Sequence, residues 1–261
     1  MDLTDAYANA AHIPGSDAYP PRWAAAAETY RKRLSVAGRA RLGLMYGHGT
    51  RCALDLFLPD ATPKGVVVFV HGGYWLRFDR SSWSHLAEGA RAQGWAVAMP
   101  SYDLCPRVRI SDITRQVASA VTVAASEIPG PVRLTGHSAG GHLVARMASA
   151  LEPDVAARLA HILPISPLSD LRPLMQTAMN ADLRIDAAEA RAESPIFSPP
   201  PACPVTVWVG ADERPALLDQ ARKLSKVWES GLVMEADKHH FDVIDALADP
   251  NSKMVARLLS D

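Results

Sequence analysis

Ser138 stands at the centre of Gly136-His137-Ser138-Ala139-Gly140, a G-x-S-x-G pattern with apolar Val132 and Leu134 before it and Gly141, Leu143 and Val144 after it. These flanks predict a short buried strand, a tight turn and a helix. At such a turn glycines remove side chains that would collide, and the serine hydroxyl is lifted above the sheet. The following helix points free N–H groups and the positive end of its dipole at the same place, which suits a developing oxyanion. The chemistry predicted is attack by Ser138 on a carbonyl carbon. A pattern of five residues with three fixed recurs by chance, so the strand and the helix are what give it weight.

Serine chemistry needs a base, an acid and oxyanion donors, and each has a candidate in the chain order serine, acid, histidine. The base is expected on a loop after a late strand, where His239 and His240 precede Phe241. Adjacent side chains cannot both reach one spot, and His240 is favoured. The acid is expected on the loop Gly210-Ala211-Asp212-Glu213-Arg214-Pro215. Spacing from Gly210 leans to Glu213, with Asp212 as the alternative. Gly72 and Gly73 follow the apolar run 66–70 directly. Bare backbone there can approach a reacting carbonyl, so the N–H groups of Gly72, Gly73 and Ala139 are the expected oxyanion donors. Tyr74 and Trp75 are candidates to line an aromatic substrate pocket, with core packing as the competing reading. No dinucleotide fingerprint, phosphate loop or spaced metal-ligand motif occurs, so neither cofactor nor metal is expected.

These residues need a scaffold. The sequence has 261 residues, of which 48% are hydrophobic and 21% charged, enough for a large core in one α/β domain over 1–261. A net charge of −1 favours neither nucleic acid nor an anionic membrane as partner, leaving a small-molecule substrate. Three scattered cysteines, no apolar leader and no long apolar run make a cytoplasmic protein the expectation. Residues 1–21, broken by prolines and glycine, read as an arm on the domain surface, and 23–34 as a helix. Two strands, 41–46 and 52–58, come next; the second alternates, as an antiparallel edge would. After them, strands at 66–70, 96–99, 162–165, 205–209 and 233–235 intersperse with helices at 82–93, 110–128, 141–151, 215–230 and 243–259. The pattern predicts a mostly parallel central sheet with helices on both faces and an antiparallel N-terminal start. Residues 171–201 read as a helical insertion with a proline-rich exit, a candidate cap or lid.

The order H-G-G-Y-W, G-H-S-A-G-G-H, a carboxylate loop and H-F resembles the α/β-hydrolase superfamily, and within it the arylformamidase (kynurenine formamidase) branch. The N-terminal arm, Tyr102-Asp103-Leu104-Cys105-Pro106 and the insertion add to the resemblance, which covers nearly the whole chain. It implies His240 as base and Glu213 as acid. The family more familiarly carries Asp at that acid position; here Asp212 lies one place early. The implied reaction is hydrolysis of N-formyl-kynurenine to kynurenine and formate through an acyl-enzyme. A carboxylesterase for short-chain esters shares every catalytic residue, and a non-catalytic binding module would keep only the fold.

Overall fold

The computed structural model describes residues 2–260. Eight strands form one sheet: β1 (Ala40–Met45), β2 (Ala53–Phe57), β3 (Val66–Val70), β4 (Ala96–Pro100), β5 (Val132–His137), β6 (Leu159–Ile165), β7 (Thr206–Gly210) and β8 (Gly231–Glu235). Their order is β1-β2-β4-β3-β5-β6-β7-β8. β1 and β2 pair antiparallel, as do β2 and β4, and every later pairing is parallel.

The unbroken apolar run of β3 has a physical cause: both of its faces are covered. Val66, Val68 and Val70 join one core with Ile113, Val117 and Leu143. Val67 and Phe69 join a second core on the other face with Trp23, Trp83 and Met254. The first is roofed by α3 (Ile110–Glu127) and α4 (Ala139–Ala150), the second by α1 (Tyr19–Val36) and the C-terminal helix Lys253–Leu259. α2 is the short helix Glu88–Ala92.

Two expectations need correction. β2 is no edge strand; it lies between β1 and β4, and all five of its residues are buried. Its one charge, Asp55, accepts from Arg80 Nε at 2.8 Å and Gly43 N at 2.9 Å, which compensates the burial. The expected helix over 82–93 is broken into one-turn 3-10 segments, Arg80–Ser82 and Ser84–Ala87, before α2 begins. The break falls at Trp83, whose backbone leaves the helical region (φ −127°) while its indole packs at a tilt against Trp23 with centroids 4.7 Å apart.

Residues 171–201 fold as short helical pieces, the longest being Ala187–Glu193. They dock on α3 and α4. Thr114 Oγ1 donates to Glu193 at 2.6 Å, Arg146 Nε donates to the same oxygen at 3.2 Å, and His142 Nε2 donates to the Glu193 carbonyl at 2.7 Å. Arg109 pairs with Glu189 and Asp186.

Candidate active site

β5 ends at His137, Ser138 turns the chain, and α4 begins at Ala139. Ser138 has φ 57° and ψ −116°, a conformation that costs a non-glycine residue strain and is held by its surroundings. Its N–H donates to Ile165 O on β6 at 2.8 Å. The elbow is pressed so close to β3 that a Cβ on Gly140 would lie 1.9 Å from Val70 O, which only glycine avoids.

His240 Nδ1 donates to Glu213 Oε2 at 2.6 Å, and both side chains are buried. That bond leaves His240 Nε2 as the proton-accepting nitrogen. The other oxygen, Glu213 Oε1, accepts from Gly210 N at 3.0 Å and from the Ser166 hydroxyl. Asp212 is exposed, and its N–H donates to Lys238 O at 2.9 Å. Of the two neighbouring carboxylates, it is therefore Glu213 that the fold brings to the imidazole. The two histidines also separate: His239 Nε2 bonds the Tyr19 hydroxyl at 3.0 Å and faces the arm.

The loop after β3 rises beside the elbow. A Cβ on Gly72 would lie 2.7 Å from His137 O and 3.2 Å from Ser138 Cβ, so this backbone passes against the serine. Among the described residues, none of the N–H groups of Gly72, Gly73 and Ala139 is spent on a turn or loop hydrogen bond. His71 stacks flat on Tyr102 at 4.3 Å and braces the loop; burial pulls its imidazole down to a pKa of about 4. His137 packs on His240 with ring centroids 4.5 Å apart. Burial, and then the neighbouring His240, hold its pKa well below the usual histidine range, so it stays neutral.

Ser138 and His240 open into one cavity of about 220 Å³. Among the described residues the Ser138 hydroxyl has no hydrogen-bond partner, and such contacts often tighten only with substrate in place. The cavity walls are aromatic: Trp23, Tyr74, Phe78, Trp83 and Phe241. Tyr74 lines this cavity and Trp75 does not. Trp75 is fully buried, edge-on to His142 at 5.1 Å, so of these adjacent rings one faces the cavity and the other fills the core.

The cover is also other than expected. No residue of 171–201 lines the cavity, whereas Asn9, Ala10, Ser16, Asp17 and Pro20 do. The arm read as surface dressing is one wall of the cavity. Its seat is a relay: the Tyr74 hydroxyl donates to Tyr7 O at 2.5 Å and accepts from Asn9 Nδ2 at 2.8 Å. The sequence signals for this were the breakers Pro14-Gly15 and Pro20-Pro21 followed by Trp23, which mark a chain that must turn sharply and then anchor. Ser166, the second partner of Glu213, was not anticipated; its positive φ of 48° beyond β6 is invisible in a Ser-Pro dipeptide. Among the described residues no group of three His, Cys, Asp or Glu side chains is placed to hold a metal, and no helix is long and apolar enough to cross a membrane.

Comparison with known proteins agrees with this architecture. The family model for the alpha/beta hydrolase fold matches residues 67–233. Kynurenine formamidase of Danio rerio is 29% identical over 233 residues, covering 82% of this chain and 79% of its own. The Salmo salar kynurenine formamidase is 29% identical over 238 residues, covering 84% and 80%. A crystal structure from Silicibacter sp., provisionally assigned as a thioesterase, superposes with a TM-score of 0.98 at 58% identity over 100% of both chains. With a family match over well over half its length, the chain belongs to the alpha/beta hydrolase family, as a hydrolase similar to the arylformamidases.

Proposed function

We propose that this hydrolase is a serine enzyme that cleaves aryl formamides, N-formyl-kynurenine being the model substrate. The observation that carries the mechanism is the buried His240–Glu213 hydrogen bond opening on the same cavity as Ser138. Ser138 Oγ attacks the formamide carbon while His240 Nε2 takes its proton. Glu213 holds the ring in the tautomer that can do so and stabilises the imidazolium. The carbonyl oxygen becomes an oxyanion held by the N–H groups of Gly72, Gly73 and Ala139, where loss of one donor typically costs about 3 kcal/mol. Collapse breaks the C–N bond, and His240 returns the proton to the departing arylamine. Water, deprotonated by His240, then attacks the formyl ester and releases formate and Ser138.

The aromatic walls and the similarity to kynurenine formamidases favour an aryl substrate. A second reading, hydrolysis of a thioester or simple ester, draws on the 58% identical Silicibacter protein and uses the same residues. The test is kcat/KM on N-formyl-kynurenine, p-nitrophenyl acetate and a short acyl thioester, with Ser138→Ala beside the parent. The formamide should be preferred by more than about tenfold, and Ser138→Ala should lose at least about 10⁴-fold on every substrate while its melting curve stays put. Turnover in a folded Ser138→Ala enzyme would sink the serine mechanism. Preference for the thioester would sink the formamide reading alone.

A further inference from the structure

The aromatic cavity carries one cation and one carboxylate, from different elements. Arg77 comes from the oxyanion loop, in a turn where Gly73 O accepts from Leu76 N at 3.0 Å and Arg77 N at 3.1 Å. Asp17 comes from the arm, in the single turn Ser16–Ala18 just ahead of α1. Among the described residues neither side chain forms an ion pair, with the other or with anything else.

The neighbouring arginines behave differently. Arg80 is bound to Asp55, Arg214 to Asp5 and Arg22 to Asp245, while Arg51 donates to Tyr102 O and Phe78 O. Arg77 alone of this group has only a ring for company, its guanidinium 5.2 Å from the centroid of Phe78, itself a cavity wall. That contact parks a positive charge at the rim without neutralising it.

A lone cation there would favour an anionic ligand and a lone carboxylate a cationic one. Opposite charges in one cavity, left unbridged, favour a ligand that carries both. We propose that Arg77 and Asp17 read the two ends of a zwitterion: Arg77 the carboxylate and Asp17 the ammonium of an α-amino-acid chain, on a substrate whose aromatic ring lies between the walls and whose scissile carbonyl meets Ser138. This rests on the formamide reading and assigns two binding residues to it. A neutral ester has nothing for these charges to hold. Both residues are binding residues; neither takes part in the bond changes.

The test has one readout that needs no formamide turnover. L-Kynurenine, its decarboxylated amine and its α-N-acetyl derivative are compared as competitive inhibitors of p-nitrophenyl acetate hydrolysis, while kcat/KM on N-formyl-kynurenine is measured in parallel. In the parent enzyme kynurenine should bind at least about tenfold tighter than either analogue, the scale of one charge-assisted hydrogen bond. Arg77→Gln should erase the preference over the decarboxylated amine, and Arg77→Lys should restore much of it. Asp17→Asn should erase the preference over the α-N-acetyl derivative. Both positions are exposed, so folding is not at stake, and melting curves verify it. If N-formyl-kynurenine is turned over but both preferences stay within twofold of the parent in the variants, the zwitterion assignment is overturned and the formamide reading stands. If the parent neither hydrolyses N-formyl-kynurenine nor binds kynurenine, both fall together.

Discussion

The arm and the segment 171–201 both lie outside the sheet, yet they are attached by different physics. Segment 171–201 is clamped by buried charge: Glu189 and Glu193 are both buried, and they take donors from Arg109, Ser111, Thr114 and Arg146 on or beside α3 and α4. The arm is seated by scattered, mostly neutral bonds. Leu3 N donates to Gln176 O at 2.9 Å, Ala178 N to Thr4 Oγ1 at 2.8 Å, and Gln220 Nε2 to the Tyr7 hydroxyl at 2.9 Å. Its other anchors are residues of the site itself or their neighbours: Tyr74, Arg214 and His239. The segment is thus a foundation on which part of the arm rests, and the arm is one wall of the cavity. Damage to the first should appear as lost stability, and damage to the second as lost catalysis.

Acid stresses both regions at once and should have the largest effect. His71 braces the loop under the arm and His142 is tied to the segment; burial pulls each down to a pKa of about 4 from an ordinary 6.5. Between those values the unfolded chain binds protons that the folded chain refuses. Stability is therefore fully present above pH 6.5 and is lost as pH falls toward 4. Thermal melts across that window should show Tm falling steeply, and His142→Gln, which keeps a donor for the Glu193 carbonyl, should make the fall shallower. An unchanged slope would remove His142 from this account.

Next comes Glu193→Ala. It strips the acceptor from Thr114 and from Arg146, whose side chain is only 12% exposed. Breaking a buried pair from one side costs about 3–5 kcal/mol, or roughly 10 °C in Tm for a chain of this size. Catalysis by the folded fraction should stay within about twofold, and a larger kinetic loss would erase the distinction between the two regions. Tyr74→Phe is the converse test. Removing the relay hydroxyl should cost about tenfold in kcat/KM, the worth of one buried hydrogen bond, with a smaller shift in Tm than Glu193→Ala gives. Smallest is Asp5→Asn. The Asp5–Arg214 pair lies at the surface, its carboxylate 77% exposed, so kcat/KM should move less than about twofold and Tm by no more than about 2 °C.

The features legible in the sequence are those whose steric demands are met by close neighbours. The run 66–70 reads as doubly buried because side chains alternate between faces and both sets are apolar. The G-x-S-x-G turn reads because its glycines and serine answer one another within five residues. Choices between adjacent residues were harder. Asp212 and Glu213 differ by one position, and Tyr74 and Trp75 likewise; which one points inward depends on backbone angles of an irregular loop, with φ 53° at Tyr74 and 57° at Trp75. Nor does local pattern say where an arm will land, since no periodicity in residues 5–20 mentions Tyr74 or His239. The alternation of β2 suggested an edge because Leu54 and Leu56 are interleaved with Ala53 and Asp55; those small or charged residues are buried as well.

The arm's seating also joins residues that lie far apart along the chain. Asp5 meets Arg214 across 209 residues, Tyr7 meets Gln220 across 213, and Tyr19 meets His239 across 220. Closing loops of such span costs more chain entropy than joining neighbouring strands. Without the arm the cavity would lose Asn9, Ala10, Ser16, Asp17 and Pro20 from its lining and become an open trough. A chain whose arm is undocked should discriminate less between substrates.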